Sequence, residues 1–354
     1  MKIAFLSFYS GSVDRGVETA TLALAGGLSK NHQVTVYHAG DRISSQVNTV
    51  KLKLGVDWEK KDASGTLLRR FYLDYWSRKI TEFTVKLLPN LLKEKYDVVI
   101  PANGGWQVIL CRLASWLVGT KILVQGNAGI GQDDLFQLYC FPDIYIAISP
   151  QGFLWANKFA SWIKKKYVPY GVDLPLFKFA KPRAISLRKP IVLCVAAFSP
   201  YKQIELLLKA MEKVENASLL LVGQGILKEE LKNLGEKLLG NRFMLKTGVK
   251  HDELPGYYKT ANAFSMPSAG SEAFGIVYVE ALAAGLPVVA PDDYNRHEII
   301  GDAGIFVDPQ NTDEYARAIA LVLTKNFENK PELQARKFDW KNIVRQYEEI
   351  LDSL

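Results

Sequence analysis

The sequence predicts an α/β protein made of two doubly wound parallel-sheet, Rossmann-like domains. Three observations carry that expectation. Short apolar runs near 2–7, 33–38, 97–100, 121–124, 144–148 and 167–169, then near 190–195, 218–222, 243–247, 263–266, 287–290 and 304–307, alternate with amphipathic stretches. Such runs suit strands buried on both faces, as in parallel sheets wrapped by helices. The two series are separated by residues 178–189, which are basic, proline-bearing and weakly periodic. The 354 residues, 48% of them apolar, suffice for two cores. The expected division is a first domain over 1–173 completed by a helix at 338–354, a linker over 174–189, and a second domain over 190–337.

Taken in order, residues 1–8 carry one basic residue and a short apolar stretch, which fits a first buried strand better than a secretory signal. Residues 66–95 are aromatic and basic. Leu68, Tyr72, Trp76, Ile80, Phe83 and Leu87 fall at helical spacing, with Lys79, Lys86 and Lys93 along one flank. A second cluster runs from Phe153 and Trp155 to Trp162, Lys164, Lys165 and Lys166. Both fit either a packed stripe with solvated lysines or docking on an anionic membrane surface. Helices are expected at 204–214, 312–323 and 340–347.

No apolar run reaches the ~18–20 residues of a membrane span. Cys111, Cys140 and Cys194 stand far apart, which argues against a disulfide framework and for a reducing, cytoplasmic setting. Four scattered histidines without a Cys/His cluster give no zinc site. The formal charge of +7 belongs to the first half, where residues 1–173 hold 21 Lys and Arg against 14 Asp and Glu. That half presents either a solvated surface or a face that meets something anionic. Nucleic acid is not expected, since no helix-turn-helix, zinc-finger or RRM-type signature accompanies the charge. Nicotinamide binding is set aside, because no Gly-x-Gly-x-x-Gly follows the first strand.

Chemistry concentrates between Met266 and Ala290. A strand runs into a small-residue loop, a helix opens near Gly275, and it closes at Gly285 before Pro287. Free amides at Gly275, Ile276 and Val277 would form an anion site. Glu272 precedes that site and Glu280 lies on its helix. They read as ligands for sugar and ribose hydroxyls, or as a capping acid and a solvated helix residue. Open parallel sheets bind ligands beyond the carboxyl ends of their strands, so two facing domains would hold the ligand in the cleft between them.

This stretch resembles the signature of the retaining, GT-B-fold group 1 glycosyltransferases: two glutamates with seven residues between them, Phe274-Gly275 after the first, Glu280-Ala281 ahead of a Gly285-Leu-Pro287-Val strand. The resemblance implies GT-B architecture, with two Rossmann-like domains facing across a cleft. Glu272 would contact the donor sugar and Glu280 the ribose, while the amides from Phe274 to Val277 would meet sugar and diphosphate. Lys202 would neutralise the diphosphate, with Ala197 standing where the family has an arginine. Arg296 is a conceivable substitute cation or a surface residue. Gly223 and Gly225 match a strand-end Val-Gly-x-Gly, and Val249, after Thr247-Gly248, holds the position whose backbone reads the base.

In the first domain, Arg15-Gly16 falls where the family has Gly-Gly, in a loop between phosphate and acceptor. Gln125-Gly126 stands in place of His-Gly near the acceptor. Glutamine cannot act as a general base; a retaining mechanism in which the leaving diphosphate takes the acceptor proton would tolerate it, and one needing a protein base here would not. Tyr170-Gly-Val-Asp173 resembles the hinge-side Asn-Gly-Val-Asp. The implied partners are a nucleotide-sugar donor and a glycan or lipid-linked acceptor, with no metal or other cofactor. The implied location is the cytoplasm, or the inner face of a membrane. A donor-binding protein without turnover, an epimerase and a glycan phosphorylase remain as alternatives on the same fold.

Overall fold

The computed structural model describes all residues except 14–15, 42, 44–46, 61–66 and 269–271. Arg15 therefore lies outside the described residues. The chain divides into two compact units: unit 1 is Met1–Tyr170 with Trp340–Leu354, and unit 2 is Gly171–Asp339.

Unit 1 holds a seven-stranded parallel sheet of β1 (Lys2–Leu6), β2 (Gln33–His38), β3 (Asn48–Lys51), β4 (Val98–Pro101), β5 (Lys121–Gln125), β6 (Ile144–Ala147) and β7 (Lys165–Tyr167), in the order β3-β2-β1-β4-β5-β6-β7. Alternation along β1 builds two cores. Ala4 and Leu6 join Phe83, Leu87, Val99 and Ile122 on one face, and Ile3 and Phe5 join Leu24, Leu28, Ile100 and Ile144 on the other. The second face is closed by the last helix, Trp340–Leu351, through Ile343, Tyr347, Ile350 and Leu351.

Two local expectations change. The stripe over 66–95 is not one helix. A turn at Leu67–Arg70 is separated from the helix Tyr75–Glu94 by Tyr72 at φ 56°, and Asp74 caps the longer helix by accepting from the amides of Trp76 and Ser77. Leu68 is exposed, while Tyr72 packs against Phe136. Lys79 and Lys86 both bond Glu82, each at 2.9 Å, so this flank of the helix is balanced by its own carboxylate. The edge strands also escaped the apolar pattern. β3 has the sequence Asn-Thr-Val-Lys, and β7 lies at 165–167, two residues earlier than expected, because edge positions do not require an apolar run.

Unit 2 holds a six-stranded parallel sheet of β8 (Ile191–Ala197), β9 (Ser218–Gln224), β10 (Phe243–Lys246), β11 (Ala263–Ser265), β12 (Val288–Pro291) and β13 (Gly304–Val307), in the order β10-β9-β8-β11-β12-β13. β8 is buried from Ile191 to Ala196, as a strand covered on both faces must be. Residues 174–189 lie in unit 2. Leu174–Lys178 is a short helix capped by Asp173, and its Phe177 packs edge-on against Tyr258 at 5.5 Å. The Arg183 amide donates to the Gly256 carbonyl and to Thr260 Oγ1, and the Thr260 hydroxyl donates back to the Arg183 carbonyl.

Candidate functional site

Because β10, β9, β8 and β11 are neighbours, the loops at their carboxyl ends are adjacent, and these loops carry the donor-site residues expected from sequence. After β8 the chain makes a tight turn, Pro200–Lys202, that places Lys202 against the loop following β11. There Lys202 Nζ pairs with Glu272 Oε2, and the two side chains are only 10% and 16% exposed. Residues 70 positions apart thus form one charged pair beyond the carboxyl ends of β8 and β11. Ala197, at the end of β8, is exposed.

The end of β9 presses on the segment after β8. A Cβ on Gly223 would lie 1.8 Å from the Ala196 carbonyl oxygen, and one on Gly225 would lie 2.4 Å from that of Phe198. With φ near 155° at both positions, only glycine fits. Val249 is partly exposed in the loop after β10.

Gly275 starts the helix Ile276–Ala283 at φ 85° and gives it no side-chain cap, so the first amides are left for another acceptor. Phe274 contributes only backbone to such a site, because its ring is buried against Phe338 at 6.0 Å. Glu280, one turn on, is 3% exposed. Its Oε2 accepts from Tyr258 Oη at 2.7 Å, and His251 Nε2 stands 3.2 Å from Oε1. Burial and the Glu280 carboxylate raise the Tyr258 hydroxyl well above the usual phenol range, so it stays a donor. Sequence reasoning missed both partners. Each lies in a polar stretch of ordinary composition, and only the fold brings it to Glu280.

Arg296 is not a surface residue. It is 0% exposed, with Nη2 3.0 Å from Ser268 Oγ and Nη1 3.1 Å from Asp293 Oδ2. Its Nε has no partner among the described residues. It lies behind the loop that leads to Glu272, whose carboxylate and that of Asp293 favour its charge.

In unit 1, Gln125 ends β5 buried, donating from Nε2 to Tyr347 Oη at 2.7 Å. Gly126 follows where a Cβ would lie 2.1 Å from Tyr145 Oη and 2.8 Å from Asp134 Oδ2. Asp134 was not singled out from sequence. It is buried, accepts from Tyr145 Oη at 2.8 Å, and burial pushes its carboxyl up to about 7 against that hydrogen bond. Gly16 opens the helix Gly16–Leu28, and Tyr170 Oη donates to Asn127 Oδ1 at 2.6 Å. Among the described residues no three His, Cys, Asp or Glu side chains are grouped to hold a metal ion.

Residues 177–338 match the family model described as "Glycosyl transferases group 1". A GDP-mannose-dependent alpha-(1-6)-phosphatidylinositol monomannoside mannosyltransferase of Mycobacterium tuberculosis is 32% identical over 188 residues, covering 48% of this chain and 49% of that protein. The sulfoquinovosyl transferase SQD2 of Arabidopsis thaliana is 32% identical over 164 residues, covering 43% of this chain and 31% of that protein. The chain thus spans about half the length, or less, of these curated relatives. Among solved structures, the sucrose-phosphate synthase of Thermosynechococcus elongatus superposes with a TM-score of 0.79 at 21% identity over 99% of this chain and 98% of that one. Anabaena Alr3699/HepE, in complex with UDP and glucose, gives 0.77 at 20% identity over the full length of both chains. Two parallel sheets in two Rossmann-like units, with these neighbours, make the fold GT-B.

Proposed function

We propose, from the premise that this chain carries a group 1 glycosyl transferase domain at residues 177–338, that it moves a sugar from a nucleotide-sugar donor to an acceptor hydroxyl with retention of anomeric configuration. The observation that carries this reading is the Lys202–Glu272 pair beside the uncapped helix start at Gly275. In the free protein each charge neutralises the other. With donor bound, Lys202 turns to the diphosphate, the amides of Ile276 and Val277 accept its remaining charge, and Glu272 is released to the sugar hydroxyls. Glu280 holds the ribose, with Gly223, Gly225 and Val249 framing the nucleoside.

The bond from the anomeric carbon to phosphate oxygen breaks, and the acceptor oxygen bonds that carbon on the same face. The acceptor proton passes to the departing phosphate, because Gln125 is not a base and is already engaged by Tyr347. Charge stabilisation by Lys202 and the helix amides requires no divalent metal.

The relatives' printed substrates make GDP-mannose and a phosphatidylinositol glycolipid the first pair to try, within a role in glycolipid or cell-surface glycan synthesis. The test is product formation from UDP-, GDP-, ADP- and dTDP-sugars with and without EDTA, with the product anomer read by NMR. Retained configuration and unchanged rate in EDTA are expected. Inversion, or activity restored by Mg²⁺ after EDTA, overturns the mechanism, and absence of transfer and of donor hydrolysis with every donor overturns the activity.

A lipid-linked acceptor agrees with docking of unit 1 on the anionic inner face of a membrane. No described helix is long and apolar enough to cross one. The support lies at the carboxyl ends of successive helices. Trp116 and Leu117 are 63% and 76% exposed, Phe141 and Trp162 are exposed just after the helices Gln132–Tyr139 and Pro150–Phe159, and Tyr139 contacts Trp162. Lys158 and Lys166 are exposed among them. Of the lysine run, Lys164 bonds Ser353, and Lys165 bonds the carbonyls of Ala160 and Ile163. Indole rings and lysines together suit the headgroup layer. Co-sedimentation with anionic vesicles that falls with salt and with Trp116→Ala is the expected result; indifference to both overturns docking.

A further inference from the structure

A pocket of about 530 Å³ opens in unit 1 beyond the carboxyl end of β5. One wall is the helical turn Leu67–Arg70, and the other is the segment from Ala128 to Asp133. Three side-chain bonds fasten the walls together. Arg69 Nη2 donates to Asp133 Oδ2 at 2.9 Å, Tyr72 Oη donates to Asp133 Oδ1 at 2.9 Å, and Gln132 Nε2 donates to the Arg70 carbonyl at 2.6 Å. Both Asp133 oxygens are thereby engaged. Arg70 lines the same pocket, and its guanidinium forms no ion pair among the described residues. Among the described residues the pocket therefore keeps one positive charge without a carboxylate partner.

Gly131 adds a second, independent indication. Its backbone, at φ 164°, is extended and open to any residue. A Cβ there would meet no atom of the described residues within 4 Å, its chain neighbours aside. Packing against the described residues does not call for glycine at 131, which is an ordinary residue for its place as the cap of the helix Gln132–Tyr139. What a side chain would fill is the space of the pocket.

We propose that this pocket takes an anionic group carried by the acceptor, a phosphate ester or a carboxylate, with Arg70 as its counter-charge and the bare backbone at Gly131 as the surface it lies against. The planar guanidinium suits such oxygens because two parallel N–H groups match two of them. The proposal rests on the transferase reading for its use of the word acceptor, but the binding itself needs no donor. Two sources share this chemistry, a water-soluble phosphate ester and a phospholipid headgroup.

The test uses the full chain without donor. Calorimetry with glycerol 1-phosphate, against glycerol as the neutral probe, is paired with co-sedimentation on phosphatidylglycerol and phosphatidylcholine vesicles. Arg70→Gln removes the charge and keeps the shape; Gly131→Leu fills the space and keeps the charge; Lys232→Gln, on the exposed surface of unit 2, is the control. Loss of the charge-assisted contact should weaken binding by about tenfold or more in Arg70→Gln, with a similar loss in Gly131→Leu. The control should bind like the parent, and melting curves establish that both pocket variants are folded. Dependence on Arg70 with the soluble ester marks a soluble acceptor, dependence with the anionic vesicles alone marks a headgroup, and either supports the site. Parent-like binding in both pocket variants, or no binding of either anionic probe, overturns it. Nucleotide-sugar binding is titrated separately. Donor binding with an indifferent Arg70 sinks the pocket alone, whereas Arg70-dependent anion binding without any donor binding sinks the transferase reading alone.

Discussion

Arg296 and Ser268 are joined at 3.0 Å, and that bond ties the helix Tyr294–Ile300 to the start of the loop bearing Glu272. Tyr278 adds to the anchorage by donating to the Met266 carbonyl at 2.7 Å. Arg296→Met would take the guanidinium from Ser268 and Asp293, leaving Asp293 only the backbone amide of residue 296. The expected loss is about 1–3 kcal/mol of stability, read by urea denaturation. Arg296→Lys keeps the charge but not the planar geometry, and should recover part of it. Stability unchanged in Arg296→Met would show that the guanidinium does not hold the loop.

Glu280 and Glu272 should fail differently. Glu280 has both oxygens engaged within a buried network, so Glu280→Gln disturbs the ribose contact proposed for it and should weaken donor affinity by roughly 10- to 100-fold. Tyr258→Phe removes one of the partners and should weaken it less, by about threefold to tenfold. Calorimetric titration of both variants measures the order, and equal affinities to the parent would detach Glu280 from the donor.

Lys202→Met and Glu272→Gln break one pair from opposite sides. Loss of Lys202 should lower kcat by about 10²–10³ if it meets charge developing on the diphosphate. Glu272→Gln should lower kcat and kcat/KM together, with donor affinity changed less, because its contacts strengthen as the sugar becomes positive. Steady-state kinetics beside donor titration separates the two, and parent-like turnover in both would make the pair structural.

Asp134 makes stability depend on pH. Its folded carboxyl, pushed up to about 7 by burial, holds a proton that the unfolded chain releases near the ordinary value of 3.8. Between those values the folded state binds more protons, so this contribution to stability is full below about pH 4 and is lost as pH rises towards 7. Asp134→Asn should flatten that decline in a denaturation series from pH 5 to 8. A slope identical to the parent's would show that Asp134 titrates normally.

How much of this was legible in sequence follows from what each residue needs around it. Buried strands such as β8 and the helix Ile204–Glu212 announce themselves, because an apolar face must be written into the chain. Edge strands β3 and β7 carry no such requirement and were missed or displaced. The break at Tyr72 was hidden because the apolar spacing continues through it, whereas the Asp74 cap decides where the helix begins. In the site, the glutamates and glycines were visible through their spacing. The partners His251, Tyr258 and Asp134 were not, since a hydrogen bond between residues 11, 22 or 29 positions apart leaves no local periodicity.

The closing helix Trp340–Leu351 has a consequence for the order in which the molecule is made. Unit 1 is interrupted: its first 170 residues leave the ribosome lacking the segment that covers Ile3, Phe5 and Leu24. Unit 2 is continuous and is translated entirely within that interval. The first unit begun is therefore the second one finished. Until Trp340–Leu351 emerges, an apolar flank of the nascent unit 1 sheet stands uncovered, so unit 1 depends on a shielding chaperone for longer than unit 2 does.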